Sequence, residues 1–163
     1  MAATLAAGYG IYGPAFELCE NKPRDSESEE YLNSEKYELK RWDIQRPDML
    51  KRLITRVNRI RRENPALQRN EGLEFHSAGN DQLLCYSKRS PDGTSRMLMV
   101  VNLDPRQKQG GVVDLPLDRF GLDASRPVIL EDLLDGKTYT WRGVGNYIEL
   151  DPARSPAHLF RIR

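Results

Sequence analysis

The spacing of hydrophobic positions changes near residue 72 of this 163-residue chain. Between residues 47 and 63, large apolar side chains recur every three to four positions, which predicts an amphipathic helix. Pro47 suits the first turn of this helix, and Asn64-Pro65 ends it because a residue before proline avoids the helical conformation. The basic side chains off the apolar stripe are interpreted as a solvent-facing or domain-facing surface.

From Gly72 onwards, hydrophobic and polar residues alternate with a period of two, which predicts β-strands. Residues 96–103 are apolar on both faces, so this strand is expected to be central in its sheet. Short strands separated by turn signals such as Asp135-Gly136, with no helix between them, predict a β-sandwich. The predicted strands cover residues 73–76, 83–89, 96–103, 111–115, 127–131, 138–141, 147–150 and 157–162.

The N-terminal part of the chain has a different pattern. Residues 1–7 suit the end of a helix with Gly8 as its stop, and residues 9–16 are a short, mostly apolar segment that predicts a buried strand. Residues 20–30 are charged and without period, which predicts an exposed loop. A strand, a long loop and a helix in this order are one unit of a β/α barrel, and a whole barrel needs about 250 residues.

We therefore expect a mainly β fold with two parts. Residues 1–67 are expected to be an incomplete terminal strand–loop–helix unit of a catalytic (β/α)8 barrel, and residues 68–163 an all-β sandwich. One strand cannot bury both of its faces alone, so residues 1–45 are expected to be disordered in isolation or docked onto the β domain or onto a second copy of the chain.

Charge and composition narrow the classes of function. The net charge of +1 disfavours a nucleic-acid partner, because phosphate binding normally leaves a basic excess. No apolar run approaches the roughly 20 residues of a membrane span, and the N-terminal residues lack the basic leader of a signal peptide. Cys19 and Cys85 are too few for a disulfide framework and predict a reduced, cytoplasmic protein. His76 and His158 stand apart from other ligand types, so hydrogen-bonded structural roles are expected for them and no metal or cofactor is expected.

Four segments carry a resemblance to a known family. They are YGIYGPAFEL at residues 9–18, NSEKYE at 33–38, Trp42-Asp43, and RVNRIRRENPAL at 56–67. These segments closely resemble the C-terminal part of the bacterial α-1,4-glucan:maltose-1-phosphate maltosyltransferases, which are members of the α-amylase superfamily (glycoside hydrolase family 13). The first two segments are the specific ones, whereas the β-sandwich half is generic to relatives of α-amylase.

The resemblance implies a dimeric parent enzyme that moves a maltosyl unit from α-maltose 1-phosphate to the non-reducing end of an α-1,4-glucan, and so builds a glycogen-like polymer. It implies a retaining mechanism with a carboxylate nucleophile and a second carboxylic acid as acid/base. In that family the reactive carboxylates lie upstream of the matching segments. Glu17 is rejected as a substitute because a retaining pair needs two carboxyls about 5 Å apart, and no such pair is identifiable. The isolated chain is therefore expected to be inactive.

The resemblance also places part of a sugar subsite in the SEKYE loop. It implies that Lys36 contacts hydroxyls of the bound maltosyl unit and that Glu35 and Tyr37 shape the same loop. A lysine ammonium offers three donors to sugar oxygens, and a tyrosine ring covers the apolar side of a pyranose. The alternatives are a solvated Lys36 and a Tyr37 that packs under the loop. Trp42 and Trp141 are interpreted as core or interface residues, with a surface glucan contact as the alternative for Trp141.

Two other functions remain open from the sequence. One is a non-catalytic binding module, in which the β-sandwich holds α-glucan through exposed aromatic side chains. The other is a structural domain of an α-amylase relative that only supports a barrel and its dimer partner.

Overall fold

The computed structural model describes residues 1–47 and 49–163, which form two compact units. One unit combines Met1–Gly8 with Ile60–Arg163, and the other is Tyr9–Arg59. The helices are α1 (Ala2–Leu5), α2 (Pro14–Glu17) and α3 (Met49–Glu63), with 3-10 helices η1 (Pro65–Gln68) and η2 (Leu117–Phe120). The strands are β1 (Leu73–His76), β2 (Leu83–Arg89), β3 (Arg96–Asn102), β4 (Gln109–Asp114), β5 (Val128–Asp132), β6 (Thr138–Trp141), β7 (Gly145–Leu150) and β8 (Ala157–Ile162). None of the described helices is long and apolar enough to cross a membrane.

The larger unit is a β-sandwich of two antiparallel sheets, which confirms the predicted fold class. Six strands form one sheet in the order β1-β2-β3-β8-β5-β6, and β4 pairs with β7 in a second sheet. Because side chains alternate along each strand, Cys85 and Leu98 of the large sheet share a core with Val113 and Ile148 of the small one. Trp141 is buried in the same core.

The other face of the six-stranded sheet carries a second hydrophobic core. Its buried members are Ile60, Ala66, Leu67, Tyr86, Met97, Met99 and Leu159. Leu5 of α1 packs against this cluster, and Thr4 Oγ1 lies 2.6 Å from Tyr86 Oη. The N-terminal helix is therefore attached to the sandwich by both an apolar contact and a buried hydrogen bond.

All eight predicted strands are present, and their ends differ from the predicted ends by at most two residues. The strand β3 lies between β2 and β8, and most of its residues are buried, which confirms its predicted central place. The alternating pattern was sufficient here because these strands bury one or both faces against other residues of the same unit.

The predicted strand at residues 9–16 is wrong. Residues 9–13 have no regular secondary structure, and Pro14–Glu17 form the short helix α2 with proline in its first turn. A strand needs hydrogen-bonded neighbours, and in the described part of Tyr9–Arg59 the one β-bridge joins Pro23 to Tyr31. The predicted stop of the first helix also differs, because α1 ends at Leu5, where the next residue is extended.

The predicted helix at residues 47–63 is present as α3, which covers Met49–Glu63. Pro47 lies outside the helix, and Asp48 lies outside the described residues. Asn64 follows the helix as predicted, and its Nδ2 donates a hydrogen bond to the carbonyl of Ile60 at 2.7 Å. Ile60 is buried, but Leu53 on the apolar stripe is 47% exposed. The apolar side of α3 is therefore only partly covered.

Candidate functional site

A long loop within the Tyr9–Arg59 unit is organised by its own backbone hydrogen bonds. Arg24 N donates to the carbonyl of Glu30 at 2.9 Å, and Leu32 N donates to the carbonyl of Lys22 at 2.7 Å. These bonds turn the charged run back on itself. As a result, Glu30 lies beside the SEKYE segment.

The loop borders an open depression of about 410 Å³, which is in the size range of small-ligand sites. Tyr12 and Tyr31 meet there edge to face, with ring centroids 6.4 Å apart. The Tyr31 hydroxyl is buried and has no hydrogen-bond partner among the described residues. The lining residues are Tyr12, Ala15, Phe16, Glu20, Glu29, Glu30, Tyr31, Ser34 and Lys36.

Lys36 lines this depression and is held in place by an ion pair with Glu30. Its ammonium also lies 5.1 Å from the centroid of the Tyr37 ring, within the range of a cation–π contact. The hydrogen bond to Glu30 raises the pKa of Lys36, and the same bond lowers the pKa of Glu30. Both groups are therefore charged at neutral pH. Because 63% of the Lys36 side chain is exposed, its remaining donors can reach a ligand.

Tyr37 and Glu35 belong to the same segment but do not line the depression. Tyr37 is 57% exposed, and Arg24 Nη1 donates to its hydroxyl at 3.4 Å. The guanidinium carbon of Arg24 lies 5.7 Å from the same ring. Glu35 is exposed. The structure therefore places Lys36 at the candidate site and places Tyr37 beside Lys36 as its aromatic neighbour.

Sequence reasoning missed Glu30 and Tyr31 of the depression, whereas Tyr12 belongs to the YGIYGPAFEL segment that carries the resemblance. Glu30 ends the charged run that predicted only a loop, and nothing local marks it as the partner of Lys36. Tyr31 directly follows that run as an isolated aromatic, which is the one signal that this part of the loop folds inward. Glu17, rejected as a catalyst, does not line the depression.

The two histidines are hydrogen-bonded within the sandwich, as predicted. His76 Nε2 lies 2.7 Å from Ser87 Oγ, and His158 Nδ1 lies 2.6 Å from Asp132 Oδ2. Among the described residues, no cluster of three or more His, Cys, Asp or Glu side chains is arranged to hold a metal ion. Trp141 is a core residue, with its ring 5.9 Å from that of Phe160.

Comparisons with known proteins identify relatives along nearly the whole chain. The family model described as "GLGE, C-terminal" matches residues 75–162. A maltosyltransferase of Chlorobaculum tepidum, named α-1,4-glucan:maltose-1-phosphate maltosyltransferase, is 48% identical over 99% of this chain and 25% of its own length. The protein of the same name from Methylacidiphilum infernorum is also 48% identical, over 99% of this chain and 24% of its own length. The chain thus spans about a quarter of the length of these relatives.

Similar solved structures show the fold of this chain but not its function. An α-amylase from Anoxybacillus superposes with a TM-score of 0.53 at 16% identity, covering 74% of this chain and 24% of its own. The α-amylase of Geobacillus thermoleovorans gives a TM-score of 0.50 at 15% identity, covering 70% of this chain and 23% of its own. The β-sandwich therefore has the architecture found in α-amylase-type proteins.

Proposed function

Because this chain belongs to the GLGE C-terminal family, we propose that it is the C-terminal part of a retaining maltosyltransferase. The whole enzyme would transfer maltosyl from α-maltose 1-phosphate to the non-reducing end of an α-1,4-glucan, in the synthesis of a glycogen-like polymer. The observation that carries this proposal is the identity of 48% along 99% of the chain with a maltosyltransferase of which the chain spans only 25%.

The proposed contribution of this chain to the enzyme is part of the donor subsite. Lys36 would donate hydrogen bonds to hydroxyls of the maltosyl unit, while Glu30 keeps its ammonium charged and directed along the depression. Tyr37 would position the Lys36 ammonium through a cation–π contact, and Glu35 would shape the exposed part of the loop. The nucleophile and the acid/base would come from the part of the enzyme outside this chain, so the 163-residue chain alone would be inactive.

Exposed apolar side chains in the Tyr9–Arg59 unit support its assignment to a larger protein. These residues are Tyr12, Phe16, Tyr37, Leu39, Ile44 and Leu53, each more than 40% exposed. Apolar residues at this density normally face another layer of structure. The remainder of a barrel would cover them in the whole enzyme.

The compartment and assembly of the parent enzyme are part of the same proposal. Cys19 and Cys85 are both free thiols, which suits the reducing cytoplasm. A homodimer of the parent enzyme is proposed from the family resemblance alone.

The test is release of phosphate from α-maltose 1-phosphate with maltoheptaose as acceptor. The protein encoded by the complete reading frame is compared with the 163-residue chain. We expect release by the former, extension of the acceptor by two glucose units, and no release by the latter. Lys36→Ala in the complete protein should raise KM for the donor about 10- to 150-fold, because a charge-assisted hydrogen bond contributes about 1.5–3 kcal/mol.

The matched control is Lys22→Ala, which removes another exposed lysine of the same loop and should leave KM unchanged. Robust maltosyl transfer by the 163-residue chain alone would contradict the proposal that the nucleophile and the acid/base lie outside this chain. Absence of phosphate release by the complete protein would support the alternative, a non-catalytic α-glucan-binding or structural module.

A further inference from the structure

We propose that the outer face of the β4–β7 sheet binds an α-1,4-glucan chain, with a sugar ring stacked on Tyr147. The choice of glucan rests on the proposed function, since that polymer is the acceptor. The location rests on geometry within the sandwich unit alone and is separate from the depression at Lys36.

The outer face of the β4–β7 sheet is defined by the alternation of its two strands. Val113, Ile148 and Leu150 point into the sandwich core, so their sequence neighbours point outward. The outward residues are Gly110, Val112 and Asp114 on β4, with Gly145, Tyr147 and Glu149 on β7. Val112 and Tyr147 are cross-strand partners and are 46% and 65% exposed. An aromatic and an aliphatic side chain therefore stand side by side in solvent.

The Tyr147 ring occupies the space above Gly110. A Cβ atom at Gly110 would come within 2.3 Å of Tyr147 Oη and 2.9 Å of its Cζ, which no side chain could tolerate without moving the ring. The phenol ring thus reaches diagonally across the strands and lies over the glycine backbone. One side of the ring is supported by the sheet, and the residue remains mostly exposed. This is a flat aromatic surface that lies against the sheet and faces solvent.

Hydrogen-bonding groups flank this aromatic surface. Glu149 lies directly across from Gly110, and Lys108 Nζ lies 3.1 Å from Glu149 Oε1. About half of each of these side chains is exposed, so both keep donors or acceptors for a ligand. Glu149 is two residues beyond Tyr147 on the same strand, about 7 Å away. A sugar ring on Tyr147 would place its hydroxyls within reach of this pair.

The chemistry of the outer face favours an uncharged polyhydroxyl ligand. The charges of Lys108 and Glu149 compensate each other, and Asp114 adds a negative charge, so the face has no basic excess for a polyanion. The large exposed apolar residues of this two-stranded sheet are Val112 and Tyr147, with Val144 just before β7, and they are fewer than the core of a stable protein interface requires. A pyranose combines an apolar face for the ring with hydroxyls for the flanking pair.

The experiment is a titration of the isotope-labelled 163-residue chain with maltoheptaose, followed by amide chemical shifts. We expect shifts centred on residues 110–112 and 145–149. Tyr147→Ala should weaken binding about tenfold, as expected for losing a buried aromatic contact. Tyr147→Phe keeps the ring and should retain most of the affinity. Gly110→Ala leaves the tyrosine in place but displaces its ring, so it should weaken binding as well.

Phe75→Ala is the matched control, because Phe75 is another exposed aromatic of the sandwich, 59% exposed, on β1. It should leave the affinity unchanged. If Tyr147→Ala changes only the melting temperature and not the affinity, the ring merely covers Gly110 and the proposal is overturned. Absence of shifts on the outer face of the β4–β7 sheet overturns it as well. Phosphate release by the complete protein tests the proposed function separately, so the two failures are distinguishable.

Discussion

Asp132 holds together the turn between β5 and β6 and the strand β8. It is 1% exposed, and its carboxylate accepts three hydrogen bonds. Oδ1 accepts from Leu134 N at 2.9 Å and from Leu159 N at 3.2 Å, and Oδ2 lies 2.6 Å from His158 Nδ1. Replacing this residue should therefore destabilise the sandwich at a single, well-defined point.

The expected cost of Asp132→Ala follows from these contacts. Each hydrogen bond to a charged group contributes about 1.5–3 kcal/mol, but part of the sum offsets the cost of burying the carboxylate. Removing the carboxylate leaves buried donors unpaired at about 1–3 kcal/mol each, and we expect a total loss of about 3–5 kcal/mol. For a chain of this length, that loss lowers Tm by about 6–20 °C. Asp132→Asn keeps one oxygen for the backbone donors and should cost less.

The assay is urea unfolding of the 163-residue chain, monitored by circular dichroism, with Tm from a thermal scan. Asp135→Ala is the control, because Asp135 is an exposed carboxylate of the same turn whose ion pair with Lys137 spans 2.8 Å. Surface pairs of this kind contribute about 0–1 kcal/mol. The reasoning would be refuted if Asp132→Ala and Asp135→Ala lowered the free energy of unfolding by similar amounts.

Two further predictions concern buried groups of the same unit. Burial raises the pKa of the Cys85 thiol from 9.0 to about 12. Between these pH values only the unfolded chain loses the thiol proton, so the free energy of unfolding falls by about 1.4 kcal/mol per pH unit. Urea titrations from pH 8 to 11 should show this slope reduced in Cys85→Ala, and an unchanged slope would contradict it. Lys88 is fully buried and donates to the carbonyls of Arg69 and, at 3.3 Å, Leu5. Lys88→Ala should cost about 2–5 kcal/mol and speed hydrogen exchange in residues 1–8, whereas unaltered exchange there would contradict the anchoring role.

The sandwich was predictable because its strands bury one or both faces against residues of the same unit. The alternation in residues 83–89 and 96–102 corresponds to two cores, with Cys85 and Leu98 on one side and Tyr86 and Met99 on the other. Lys88 shows the limit of this pattern. A lysine near the end of a strand predicts an exposed residue, but its ammonium is enclosed by carbonyls that lie 19 and 83 positions away in the sequence. Such long-range partners leave no local signal.

The N-terminal segment was not predictable for a different physical reason. An apolar segment such as residues 9–16 becomes a strand only when neighbouring strands accept its hydrogen bonds, and the described residues of Tyr9–Arg59 form only the isolated bridge between Pro23 and Tyr31. In the candidate site, resemblance identified Lys36, but Glu30 and Tyr31 came together with it only through the folding of the loop. Residue type and spacing could not reveal that pairing.

The sandwich unit combines residues 1–8 with residues 60–163, and Arg61 shows how these two stretches are joined. As one of several basic residues in α3, it was interpreted as part of a solvated or domain-facing surface. Instead, its guanidinium donates to the carbonyls of Ala3, Ala6 and Ala7 near the N-terminus and to that of Leu67 after the helix. A planar guanidinium with five donors suits this role, which a lysine could not fill. Through these bonds, Arg61 attaches residues 1–8 to the sandwich across 54 to 58 positions of sequence, so one compact unit is built from two separate stretches of the chain.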